Sequence, residues 1–463
     1  MLNMAQTLSA LARNGAEVRG TPGEYHGVST DSRSIKPGEL FIALRGDKFD
    51  GHDYVRDVLA HGAALAMVDR RWLQRNDSSG LSLLVVDDTR RAFASLAGAW
   101  RARFSIPVIG VVGSNGKTTV KEMIASILAA EFGPSACLAT SGNLNNDIGV
   151  PTMLLRLTEA HRAAVIEMGM NHQGETALLA AMTQAGIALI NNAQREHQEF
   201  MKSVAAVAEE HAAVITALPE SGVAILNADD DYFADWLRAA RPRRVLSFGF
   251  NAAADVRAEG DIRQPSLVTP QGQAPLQLAT VGAHNIRNAL AAAAATLAAG
   301  CSLASVLSGL AAFRPVKGRL QTHAGLAGST LIDDTYNANP DSVRAAIDVL
   351  AALPGRRVLV LGDMGEVGDQ GAQYHDEVGG YAKSQGVESL LTLGDMSIAA
   401  ARNFGPGAEH FDSMEELLKA LKPMLGANTT VLVKGSRFMR MERVLAAIDS
   451  KPVMPSEGNK NAA

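Results

Sequence analysis

The run Val108-Ile109-Gly110-Val111-Val112-Gly113-Ser114-Asn115-Gly116-Lys117-Thr118-Thr119 has the residue types needed to hold a triphosphate. An apolar strand that turns through glycines into a helix aims successive backbone N–H groups at phosphate oxygens, and the helix dipole adds a favourable field. Lys117 would bridge the β- and γ-phosphates and the Thr118 hydroxyl would bind Mg²⁺. Gly113, Ser114, Asn115, Gly116, Lys117, Thr118 and Thr119 are thus the expected contacts to ATP. The full GxxxxGK[ST] pattern wants glycine at position 111, where this chain has Val111. The bland alternative is a tight strand–helix turn with a surface lysine.

A magnesium site needs ligands beyond one hydroxyl, mostly oxygens and occasionally a histidine. Glu167 ends the apolar run Ala163–Ile166, which puts a carboxylate where a parallel sheet meets its ligands; a solvated loop acid is the other reading. His197 closes Asn191-Asn192-Ala193-Gln194-Arg195-Glu196-His197, just beyond another apolar run, and a lone histidine in such a place is often structural. In Gly282-Ala283-His284-Asn285-Ile286-Arg287-Asn288, Asn285 would either cap the alanine-rich helix that follows or act with Asn288 as a pair of amides against a base edge. The residues alone leave both readings open.

These groups need elements to position them. A chain of 463 residues exceeds one ordinary core, so two to four domains are expected, and 47% hydrophobic with 20% charged residues is a globular composition. Up to about Arg103 the pattern is short strands and turns, with Leu40–Leu44 and Leu83–Val86 as strands and a helical stretch over Met1–Gly20. From Pro107 apolar runs at Pro107–Val112, Ala163–Glu167, Ile187–Asn191 and Val223–Asn227 alternate with helical stretches, the mark of a parallel sheet with crossover helices. From about Pro315, three buried runs each stop at a glycine with a polar neighbour: Arg357–Leu361, Leu390–Leu393 and Thr430–Val433. None carries GxGxxG, which argues against a dehydrogenase-type cofactor.

A net charge of -5 argues against nucleic acid as a partner, and Arg238, Arg241, Arg243 and Arg244 read as a solvated patch at a helix end. Cys137 and Cys301 alone make no disulfide framework or zinc motif, the start of the chain lacks the pattern of a signal peptide, and Ala289–Ala299 is shorter than the ~18–20 residues of a membrane span. A soluble, cytoplasmic, monomeric protein is expected.

With Gly113–Thr118, Glu167, His197 and Gly282–Asn288 in this order, the chain resembles the ATP-dependent Mur ligases. Further motifs are similar to the branch of that family that adds D-alanyl-D-alanine: Thr30-Asp31-Ser32-Arg33, Asp50-Gly51-His52-Asp53, Asn143–Pro151, Asp333–Pro340, Leu361-Gly362-Asp363-Met364 with Glu366 and His375, and Lys434-Gly435-Ser436-Arg437. The likeness spans roughly residues 25 to 445. It implies an α/β protein of three domains: a small mixed domain over 1–104 for the UDP end of the substrate, a central phosphate-loop domain with a mostly parallel sheet over 105–313, and a Rossmann-like domain over 314–450, with 451–463 expected to be disordered. It implies that UDP-MurNAc-tripeptide and D-alanyl-D-alanine are joined through an acyl phosphate with ATP and Mg²⁺.

Residue by residue, the resemblance makes Lys117, Glu167 and His197 catalytic and Thr118, Glu167 and His197 magnesium ligands. It sets Asn285 and Asn288 against adenine, Arg319 on ATP phosphate, and Asp334 and Tyr336 on the ribose. Asn337 or Asn339 would meet the dipeptide, Ser32, Arg45, Gly46 and His52 the UDP moiety, and Asn143, Asn145 and Asn146 the substrate in the cleft. One departure stands out. Many Mur ligases carry a carbamylated lysine after the histidine motif, but no lysine occurs here between Ser203 and Leu226, which leaves open whether a second magnesium is held differently, by Glu210 or His211, or is bound weakly. The rival readings are a sister ligase adding diaminopimelate, lysine or glutamate, a nucleotide-driven switch, and a pure binding module.

Overall fold

The computed structural model describes residues 1–450, and the expected disordered segment 451–463 lies outside them. Three sheets follow one another along the chain. The first has five strands in the spatial order Glu17–Arg19, Leu83–Val86, Leu65–Asp69, Glu39–Ile42, Gly27–Ser29, with only the first pair antiparallel. The expected helix over Met1–Gly20 is shorter than the sequence suggested. It runs Met4–Ala10, capped by Asn3, and the chain reverses at Gly15 (φ 63°) so that Glu17–Arg19 becomes an edge strand.

The central sheet has nine strands, ordered Gly272–Pro275, Ser266–Thr269, Val256–Glu259, Arg244–Gly249, Val223–Asn227, Ile187–Ile190, Val108–Val112, Ala163–Glu167, Cys137–Ala139. All pairings are parallel except the two at the Gly272–Pro275 end. Side chains alternate across a strand, and so Val108 and Val112 enter one apolar cluster while Ile109 and Val111 enter another on the opposite face. With both faces covered, the inner strands read as unbroken apolar runs, which is why they were legible.

Small residues bring the helices of one face close together. Helix Lys117–Phe132 lies against Ala283–Ala298, whose residues 289–295 are all fully buried, and against Leu303–Ala312. A β-carbon at Gly309 would stand 2.4 Å from Ile127 Cα, so only glycine permits that approach. This packing fixes the direction in which helix Lys117–Phe132 presents its N-terminus. The basic cluster is solvated as expected at Arg238, Arg241 and Arg244, which are exposed, while Arg243 is half-buried and donates to the Leu218 and Thr216 carbonyls.

The third sheet has six strands, ordered Gln321–Ala324, Thr330–Asp334, Thr429–Lys434, Arg356–Gly362, Ser389–Leu393, Ala408–Phe411, parallel apart from the first pair. Together the sheets make a three-part α/β architecture, mixed, mostly parallel and Rossmann-like in turn. Among the described residues no helix is long and apolar enough to cross a membrane.

Candidate active site

The carboxyl ends of the central strands and those of the third sheet face one cleft of about 530 Å³. The turn after Val108–Val112 forms its floor. Gly113 (φ 143°) and Gly116 (φ 80°) adopt backbone conformations that side chains oppose, and a β-carbon at Gly116 would stand 2.5 Å from Asn288 Oδ1. The turn is tied down from the next strand. Asn115 N–H donates to Asn192 Oδ1, Asn191 and Asn192 each donate a side-chain N–H to Asn115 O, and Ser114 exchanges hydrogen bonds with the Gln194 backbone. Lys117 and Thr118 then open the helix, with Thr119 also lining the cleft.

The Lys117 ammonium donates to the Gly113 and Ser114 carbonyls and to Glu196 Oε2 at 3.1 Å. Glu196 is buried, and its other oxygen lies 3.1 Å from His211 Nε2. Burial opposes its charge, but Lys117 and His211 outweigh burial and hold the Glu196 carboxyl down at about 2. Thr118 Oγ1 donates to Glu167 Oε1 at 3.2 Å and accepts from Arg319 at 3.0 Å. Asn145 also donates to Glu167 Oε1, at 2.8 Å, whereas Glu167 Oε2 is buried with no hydrogen-bond partner.

That bare carboxylate oxygen next to a hydroxyl, in a cleft lined by amides and cations, suits a hard divalent cation. Among the described residues no three His, Cys, Asp or Glu form a metal cage, as befits an ion that keeps waters and takes phosphate oxygens as ligands. The fit is thus to Thr118 and Glu167, with His197 on the same cleft. His197 sits at φ 48° and its Nδ1 is 2.7 Å from a carboxylate oxygen of Glu366 in the third sheet's region.

The other expected residues divide by place. Asn285, Asn288, Arg319, Asp334, Tyr336, Asn337, Asn339, Asn143, Asn145 and Asn146 all line this cleft. Asn285 does not cap its helix, whose N-cap is Gly282; its amide instead donates to Thr280 and to the Val281 carbonyl, and Asn288 donates to Asn285. The Arg319 guanidinium carbon lies over the Tyr336 ring, 4.2 Å from its centroid. Asp334 accepts from Lys434 at 2.5 Å, Asn337 accepts from the Ala338 amide, and Asn339 caps helix Pro340–Ala351 while pairing with Asn115. Asn146 accepts two amides at the start of helix Gly149–Leu154.

Ser32, Arg45, Gly46 and His52 belong to the first sheet's region and are not part of this cleft. There His52 is buried, with Nδ1 2.6 Å from Asp50 and Nε2 accepting from the Asp69 amide, while Arg45 pairs with Asp50 and Asp69.

Three family models match the chain: "Mur ligase family, catalytic domain" over 24–101, "Mur ligase middle domain" over 111–296, and "Mur ligase, glutamate ligase domain" over 318–437. The UDP-N-acetylmuramoyl-tripeptide–D-alanyl-D-alanine ligase of Escherichia coli is 41% identical over 452 residues, covering 96% of this chain and 98% of that one. Its Haemophilus influenzae counterpart is 38% identical, covering 92% and 93%. The crystal structure of MurF from Acinetobacter baumannii superposes with a TM-score of 0.88 at 35% identity, covering 96% of this chain and 98% of that one. The chain belongs to the Mur ligase family.

In this Mur ligase two substitutes named for the missing lysine have specific places. Glu210 is not available to a cation in the cleft: its carboxylate accepts the Gly174 and Thr176 amides and so caps helix Glu175–Thr183. His211 reaches the cleft only through Glu196. Sequence reading passed over Glu196, Arg195, Glu366 and Lys434 as site residues. The first two sit in the polar run ending at His197, Lys434 ends one strand of the third sheet and Glu366 follows another, so density of polar residues at or just past the end of a buried strand was the usable signal.

Arg195 fastens the central and third regions together. Its guanidinium pairs with Asp341 at 2.6 Å and Glu377 at 2.7 Å, its backbone N–H donates to Asp341, and it lies over the Tyr374 ring.

Proposed function

We propose that this Mur ligase is an ATP-dependent amide ligase that joins D-alanyl-D-alanine to UDP-MurNAc-tripeptide through an acyl phosphate, in peptidoglycan precursor synthesis. The observation that carries the reading is the single cleft in which the phosphate loop, the Thr118–Glu167 pair and the third region's strand ends meet. Full-length similarity to enzymes of that name supports the choice of substrates.

In the first step a carboxylate oxygen of the tripeptide attacks the γ-phosphorus of ATP; the new P–O bond forms as the bond to ADP breaks, leaving an acyl phosphate. Carboxylate and triphosphate repel, so this chain's part is to neutralise charge and align the groups. Lys117 and the loop amides hold the phosphates, exchanging the Gly113 and Ser114 carbonyls for phosphate oxygens, while Arg319, already beside Thr118, adds a second cation. Mg²⁺, held by Thr118, Glu167 and His197, would supply charge neutralisation at the transferring phosphoryl group. Asn285 and Asn288 face the base, with Asp334 and Tyr336 at the ribose.

In the second step the dipeptide ammonium first gives one proton to solvent. Its nitrogen then attacks the acyl carbon, the C–O bond to phosphate breaks, and the nitrogen's next proton leaves with hydrogen phosphate. Asn337 and Asn339 flank the dipeptide's approach, Asn143, Asn145 and Asn146 the peptide, and Ser32, Arg45 and Gly46 the UDP moiety, with His52 bracing that loop through Asp50 and Asp69. Cytoplasmic location follows from where nucleotide-linked precursors and ATP occur, and a monomer suffices because the cleft is built within one chain.

The test is to supply ATP, UDP-MurNAc-tripeptide and D-alanyl-D-alanine and weigh the product. Pentapeptide with equal ADP and phosphate is expected, and ATP turnover only when both acceptor substrates are present. ATP turnover that ignores them would favour a switch and sink the reading.

A further inference from the structure

The carboxylates that line the cleft are nearly all spoken for. Asp147, Glu196, Asp334 and Asp341 pair with Arg90, Lys117, Lys434 and Arg195. Glu175 accepts the Asn171 and His172 amides, and Glu167 presents its free oxygen beside Thr118. Glu366 differs. It is a lining carboxylate with no lysine or arginine in contact among the described residues, its side chain is 49% exposed, and its partner is the imidazole of His197.

Its placement is enforced. Glu366 has φ 58°, a conformation that a β-carbon opposes and that persists only when the surroundings impose it. The surroundings do so at three consecutive points. Met364 N–H donates to His375 Nε2, Gly365 N–H donates to Ser436 Oγ, and the Glu366 carbonyl accepts from Glu199 N–H across the seam between the regions. Ser436 in turn donates to the Ala338 carbonyl, so the Glu366 turn, the strand end at Lys434 and the Asn337–Asn339 loop are laced into one wall. The opposite wall is cationic and rich in N–H donors, suited to phosphates. An amine substrate is repelled there and attracted here.

Building on the ligase reading above, we infer that Glu366 receives the ammonium of the incoming dipeptide and holds its nitrogen at the mouth of the cleft for attack. From Glu366 the path to the phosphate loop is short: His197 lies 4.0 Å from Glu196, which contacts Lys117. Glu366 and the phosphate-holding Lys117 are thus joined through two intervening side chains, His197 and Glu196.

The experiment compares wild type, Glu366→Gln and Glu366→Gly in two assays, pentapeptide formation with D-alanyl-D-alanine and hydroxamate formation with hydroxylamine, which traps the acyl phosphate without needing an ammonium site. Charge-assisted hydrogen bonds of this kind correspond to a ~10–150-fold effect. KM for the dipeptide should rise by that factor in both variants, with hydroxamate formation and KM for ATP within about twofold of wild type. Glycine relieves the backbone conformation, so Glu366→Gly should melt no lower than wild type while losing dipeptide affinity. An unchanged dipeptide KM overturns the inference, as does a parallel fall in hydroxamate formation, which would mean that Glu366 works through His197. Wild type that makes no pentapeptide would instead overturn the ligase reading itself.

Discussion

Replacing Glu196 by glutamine tests how the phosphate loop is held before nucleotide arrives. The substitution keeps the shape but removes a charge 3.1 Å from the Lys117 ammonium and 3.1 Å from His211 Nε2. A carboxyl lowered from 4.5 to about 2 favours its charged form by about 3 kcal/mol. A Coulomb sum at 3.1 Å and an effective dielectric of 20 gives about 5 kcal/mol. Lys117 is 17% exposed and keeps two carbonyl acceptors, so about 2 kcal/mol is the expected loss in the nucleotide-free protein. For a unit the size of the central region that is a fall of roughly 4–8 °C in Tm.

Because the carboxylate also repels incoming phosphates, ATP should raise the Tm of Glu196→Gln by more than it raises that of wild type. The pH dependence has a definite sign. The folded pKa is depressed, so this contribution is present above pH 4.5 and lost as pH falls toward about 2; the acid limb of the stability profile should be shallower in the variant. Thermal melts with and without ATP across pH 3–7 report all of this. A nucleotide-free melt within 1 °C of wild type, or ATP stabilising the variant less than wild type, would mean that Glu196 does not hold Lys117 in this way.

Two further outcomes follow from other parts of the cleft. Glu167→Gln converts the free carboxylate oxygen into an amide N–H₂ that repels a cation, so half-saturating Mg²⁺ for ligation should rise at least about tenfold and the rate at fixed Mg²⁺ fall about a hundredfold, measured by magnesium titration. Arg195→Ala removes the paired hydrogen bonds that join the central and third regions; with partners 21% and 33% exposed, and Glu377 still held by Arg344, the loss is about 2 kcal/mol, read as a roughly 30-fold drop in kcat/KM and a larger radius in solution scattering.

The fold was legible where physics is local or periodic. Inner strands of the central sheet are apolar on both faces, so Ala163–Glu167 and Val223–Asn227 could be bounded from their residues alone. The edge strand Glu17–Arg19 could not, because three residues of mixed polarity carry no period and its pairing with Leu83–Val86 is made 66 residues away. The phosphate turn announced itself through glycines that only a tight turn requires. Glu196, Glu366 and Arg195 did not, since their meaning lies in partners 79 to 182 positions distant or across the seam. The same reason undoes Glu210 as a metal ligand: it stands in the right helix, but its carboxylate is taken by amides of another.

Activation of the peptide carboxylate by phosphoryl transfer inside this cleft leaves an isotopic signature. Positional labelling tests it directly. UDP-MurNAc-tripeptide labelled with ¹⁸O in the reacting carboxylate, turned over with ATP and D-alanyl-D-alanine, should place one ¹⁸O in each inorganic phosphate released, as found by mass. Unlabelled phosphate, or label appearing in AMP, would contradict the account.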